Sequence, residues 1–119
     1  MRNVRLLIST TFVAGVLFGQ GEAFAADVAA VTKGKTAYVK HGCWQCHGFV
    51  GQGGITGPKL APEPMPLATM NAFLRNTKGA MPPYMEAVLS NEDLADIHAY
   101  LQSIPKAADY KSIPLLNQP

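Results

Sequence analysis

The chain has 119 residues, with 10 Lys+Arg against 8 Asp+Glu and a formal net charge of +2. That length holds one domain and excludes a two-lobed enzyme with its own cofactor-binding domain. The weak charge gives no support to nucleic-acid binding, and two cysteines cannot staple a disulfide-rich scaffold. At 48% hydrophobic and 15% charged the composition is that of a folded chain, and its 9 Pro and 11 Gly predict long loops.

Arg2 and Arg5 give a positive start, Leu6 to Phe18 is mostly apolar, and Ala23-Phe24-Ala25 ends the stretch in small residues. This is the plan of a secretory signal peptide, expected to be cleaved after about Ala25. The apolar run is shorter than the ~20 residues a membrane-spanning helix needs. Losing Arg2, Arg5 and Glu22 takes the formal charge from +2 to +1. The expected organisation is therefore 1–25 signal, 26–105 domain and 106–119 tail. No further apolar run is long enough to span a membrane, and the expected location is the periplasm.

Residues 28–41 predict a helix: Val31, Gly34, Tyr38 and His41 share one face of a 3.6-residue period, and Gly42 stops it. Gly34 weakens a helix by up to about 1 kcal/mol relative to Ala, so a packing reason is expected there. Residues 48–66 are punctuated by Gly and Pro and predict a loop. Leu67 to Asn76 predict a short helix with Pro66 near its start, and 77–84 predict a second loop. The last helix carries Ser90 as N-cap, Asp93 three residues on, and an apolar stripe of Leu94, Ile97, Leu101 and Ile104 before Pro105. The tail has no clear period.

Cys43-Trp44-Gln45-Cys46-His47 is the attachment pentapeptide of a c-type haem. Two cysteines one helical turn apart let each sulfur add to one vinyl group, and the following His supplies an iron ligand. A thiol–disulfide site would expect strands that the pattern lacks. Structural zinc would expect four ligands, and there is no second cysteine pair. A plain structural disulfide in an exported protein is a further alternative. Paired carboxylates, a Ser/His/Asp set and a phosphate-binding loop are absent from recognisable positions, so no enzyme is expected. Gly51-Gln52-Gly53-Gly54 neither follows a strand nor opens a helix.

Over about residues 28–105 the chain resembles class I cytochromes c. The resemblance rests on the haem pentapeptide after an N-terminal helix, Gly57-Pro58-Lys59-Leu60, Met81-Pro82, and Ile97-x-x-Tyr100-Leu101. It implies an all-α, small cytochrome c fold, with three to four helices and long loops wrapped around one covalently attached haem c. It implies that Gly34 and Tyr38 meet Tyr100 where the terminal helices cross. It implies Cys43 and Cys46 as attachment points, and His47 and Met81 as the axial metal ligands. The Pro58 carbonyl would accept from the His47 ring, and Arg75 would pair with a haem propionate. Met65, Met70 and Met85 are the other methionines that a ligand could come from. His41 and His98 read as ordinary rim residues. The span of 34 residues from His47 to Met81 is short, which implies an exposed haem edge.

The expected function is one-electron transfer. Two settings follow from the resemblance. One is a diffusing periplasmic carrier between a quinol-oxidising complex and a terminal oxidase or reductase. The other is a dedicated cytochrome subunit of an exported dehydrogenase, with the tail as docking surface. A haem catalyst or gas sensor would require an open iron site.

Overall fold

A computed structural model of the chain describes residues 20–117. Among these residues are four α-helices, two 3₁₀ turns and no strand. Residues 1–19, most of the expected signal peptide, lie outside them.

Helix α1 spans Gln20–Lys40. It starts earlier than the sequence pattern suggested: the Ala-rich stretch Glu22 to Asp27 favours helix, and neither Gly21 nor Asp27, a residue type that often caps helices, interrupts it. It ends as expected at Gly42. Gly42 takes φ 75°, the Gly42 N–H donates to Val39 O, and the Cys43 N–H reaches back to Tyr38 O. This paired 5→2 and 6→1 bonding is a Schellman ending. It turns the chain sharply and delivers Cys43 at the end of the helix. A single helical turn, α2 (Trp44–His47), follows at once.

Helix α3 (Leu67–Asn76) begins behind Pro66 and buries Met70 and Leu74. Helix α4 (Asn91–Ser103) begins at Ser90, whose hydroxyl accepts from the Asp93 N–H at 2.9 Å. Ser90→Ala should remove that cap and cost about 1 kcal/mol. In a domain of this size that is a fall of roughly 4–8 °C in Tm, which thermal unfolding followed by circular dichroism would measure.

Helices α1 and α4 form the main packing joint. The residue at the crossing is Gly34, where an added Cβ would stand 1.9 Å from Asp96 O and 2.8 Å from Tyr100 Cβ. A bare backbone is required there, which supplies the packing reason. One turn on, the Tyr38 and Tyr100 rings tilt against each other with centroids 5.6 Å apart. Their hydroxyls donate to Gly48 O and Phe49 O, so the joint also grips the chain just after α2. Burial raises the pKa of Tyr38, Tyr84 and Tyr100 above the ordinary 10.0. The folded state therefore disfavours their ionised forms. The stability this represents is complete below pH 10 and is lost as pH rises beyond it. A tyrosinate absorbance titration should show these three rings ionising together with loss of helix above pH 10, rather than independently at pH 10.

The largest fully buried side chains are Tyr38, Leu89, Leu94, Ile97 and Leu101. Each aliphatic one is worth about 1.5–3 kcal/mol relative to exposure. The tail forms two 3₁₀ turns, Tyr110–Ser112 and Pro114–Leu116, whose Tyr110, Leu115 and Leu116 are exposed. No helix among the described residues is long and apolar enough to cross a membrane.

Candidate haem site

A cavity of about 610 Å³ lies between α2, the 56–65 loop, α3, the 80–84 loop and α4. That volume is in the roughly 300–1,000 Å³ range of cofactor pockets. Cys43, Cys46, His47, Pro58 and Met81 all line it. So do Tyr38, Leu89, Leu94 and Ile97, four of the five largest fully buried side chains. The hydrophobic core and the cavity wall are thus largely the same residues. An apolar, flat group held there would complete the core.

The α2 turn sets the first half of the site. The His47 N–H donates to Cys43 O, which closes a helical turn and puts both thiols and the imidazole on one short segment. His47 is buried, and its Nδ1 donates to Pro58 O at 2.7 Å. That bond fixes the ring and leaves Nε2 as the nitrogen that can bind a metal. Gly57 makes the approach possible. A Cβ on it would stand 2.8 Å from Cys46 O and 2.9 Å from His47 Nδ1. The loop behind is drawn in by backbone bonds: the Gly53 N–H donates to His47 O, and Gly51 O accepts from the Leu60 and Ala61 N–H groups.

Burial pushes the Cys43 thiol up to about 11, so it is protonated at neutral pH. A reactive thiol–disulfide cysteine has the opposite bias, toward thiolate. Among the described residues no three or more His, Cys, Asp or Glu side chains gather as a metal-binding group.

Met81 is half-buried, packs against the core and lines the cavity. Met65 and Met70 line it as well, whereas Met85 is 65% exposed and does not. Arg75 stands apart from the cavity wall. Its Nη1 donates to Tyr84 O at 2.7 Å and its Nη2 to Asn91 Oδ1 at 2.9 Å. Sequence reasoning missed both these partners and the role of Tyr84, whose hydroxyl donates to His41 O. The only local signal was the position of Tyr84 at the end of Met-Pro-Pro-Tyr. The two other histidines are engaged elsewhere: His41 donates to Asp93 Oδ2 and His98 to Met65 O. Trp44 stacks on Phe49 with centroids 4.7 Å apart and takes no part in the cavity wall.

Two thiols on one helical turn, an imidazole oriented through Nδ1, a thioether from a separate loop and an apolar wall form a donor set that fits haem c. A profile of the family described as cytochrome c oxidase, cbb3-type, subunit III matches residues 29–101. Searches of curated proteins and of solved structures returned no match. The matched span runs from α1 to the end of the buried stripe of α4 and contains the whole cavity wall. Such a domain implies covalent haem c and points to electron transfer rather than catalysis. The chain belongs to the cytochrome c oxidase cbb3-type subunit III family and is a class I-type c-type cytochrome domain.

Proposed function

We propose that the protein is an exported one-electron carrier with a single haem c attached at Cys43 and Cys46 and ligated by His47 and Met81. The observation that carries this reading is the 2.7 Å bond from His47 Nδ1 to Pro58 O, in a cavity that Met81 also lines. When bound, the haem supplies the one-electron couple. The chain's own work is to hold two ligands, keep the His47 ring oriented and exclude water. No proton donor or nucleophile is needed, because no bond of a substrate is made or broken. A thioether ligand favours the ferrous state and raises the potential relative to ligation without it.

Absorbance spectra of the purified protein, oxidised and reduced, with a redox titration, test the reading. The expected result is a low-spin haem that shows a weak sulfur-to-iron charge-transfer band when oxidised and ignores carbon monoxide when reduced. Carbon monoxide binding by the wild-type protein would instead support a catalyst or sensor. Detection of the haem protein in a periplasmic fraction, starting at about Ala26, tests export.

Attachment to a complex is favoured by two observations. The family's description names an oxidase subunit, and Leu115 and Leu116 of the tail are 80% and 63% exposed. The partner would be an oxidase-type or dehydrogenase complex. Size-exclusion of native extract separates this from a diffusing carrier, which should migrate as a monomer of about the domain's size.

A further inference from the structure

We infer that Arg75 is a positioning residue for Met81, acting through the backbone of Tyr84 rather than through a haem propionate. The inference rests on the proposed ligation by Met81.

The segment that carries Met81 has almost no bonds of its own. Among the described residues, no backbone bond outside the helices and no side-chain bond involves residues 78–83. Its shape is fixed by Pro82, Pro83 and its two ends. The upstream end is the last turn of α3. The downstream end is Tyr84, which is held at three points. Its N–H donates to Leu74 O at 2.9 Å, its C=O accepts from Arg75 Nη1 at 2.7 Å, and its hydroxyl donates to His41 O at 3.0 Å. The first two bonds close residues 74–84 into a loop at its base. The third ties that base to the residue two before Cys43, so it braces the Met81 segment against the segment that supplies His47.

Arg75 is the charged member of this clamp. Its second prong reaches Asn91 Oδ1, which also accepts from Asn71 Nδ2, while Asn91 Nδ2 donates to Glu86 Oε1. The guanidinium thus joins the end of α3, the exit of the Met81 loop and the first residue of α4. A planar fork with fixed spacing suits this; a lysine ammonium, a single point charge, cannot reproduce both bonds in the same geometry. Loosening the base should let the thioether leave the iron more often, because little else in 78–83 resists the motion.

The test follows the sulfur-to-iron band of the oxidised haem protein while imidazole is titrated in. Wild type, Arg75→Gln, Arg75→Lys, Asn91→Ala and Met81→Ala are compared, with helix content and Tm recorded for each. Wild type should hold the band to the highest imidazole concentration. Arg75→Gln and Arg75→Lys should lose it at roughly tenfold lower concentration, a shift of about 1.4 kcal/mol. Asn91→Ala should fall between, since it frees one prong only. It decides alone if the Arg75 variants fail to fold, because Asn91 is exposed. Wild-type midpoints in the Arg75 variants, or in Asn91→Ala where it stands alone, would overturn the inference. So would full rescue by Arg75→Lys with a salt-dependent change of potential, the pattern expected of a charge neutralising a propionate. A band that survives in Met81→Ala would instead remove the ligand reading on which the inference depends.

Discussion

Met81→Ala is expected to lower the reduction potential by roughly 0.1–0.3 V, a fraction of the ~0.8 V range over which axial ligands set haem potentials. The sulfur-to-iron band of the oxidised protein should vanish, and the reduced protein should bind carbon monoxide. The reason is the character of the thioether: a soft, neutral sulfur stabilises ferrous iron more than ferric. Alanine provides no donor, and the cavity wall near residue 81 is half-exposed, so small ligands can enter. The fold should survive, because Met81 packs at the edge of the core rather than within its fully buried set. Met85→Ala is the control. Met85 is largely exposed and off the cavity wall, so its removal should leave the potential in place. An unchanged spectrum in Met81→Ala would move the ligand to Met65 or Met70, which share the wall.

Gly34→Ala should destabilise the domain by about 3 kcal/mol, at the upper end of ordinary overpacking costs. By the scaling for domains of this size, Tm should fall by roughly 12–24 °C. Alanine would improve α1 as an isolated helix by up to about 1 kcal/mol. That gain is outweighed, because the new methyl would sit 1.9 Å from a backbone carbonyl oxygen, that of Asp96. A backbone atom inside a helix cannot rotate away as a side chain can. Relief requires α1 and α4 to separate, which would also part the Tyr38 and Tyr100 rings. Thermal unfolding of the haem-loaded variant measures the effect. A Tm at or above wild type would mean that the joint tolerates a wider crossing.

Much of this fold is written locally. The last helix was legible because Ser90, Asp93 and the Leu94, Ile97, Leu101 stripe act within one element, and cap and period are properties of short windows. The start of α3 followed from Pro66 in the same way. The one-turn α2 is too short to show a period, and α1 runs back through Asp27 and Gly21, two residue types that more often mark a helix end than its interior. The haem pentapeptide is legible for the same local reason: its geometry is carried by five consecutive residues. The neighbourhood of Arg75 was not. Its partners Tyr84 and Asn91 lie 9 and 16 residues away, and only the packed tertiary structure decides which acceptors a long side chain meets. Gly57 sits in a run of glycines that predicts only a loop. Its specific demand, room for His47 Nδ1 and Cys46 O, exists once Pro58 has folded back over α2.

The crossing at Gly34 joins the two ends of the domain, so the exposed stretches between residues 41 and 90 that make no tertiary bond can change length without moving it. Lengthening a flexible loop is inexpensive in chain entropy, about 0.6 kcal/mol for each doubling. Insertions beside the fully exposed Ile55, or at the exposed residues 78–79, would therefore reshape the rim while leaving the bonds from Tyr38 and Tyr100 to Gly48 and Phe49 in place. The same architecture can thus present a different face to each redox partner by changing loop length alone, while the helices that hold it shut stay as they are.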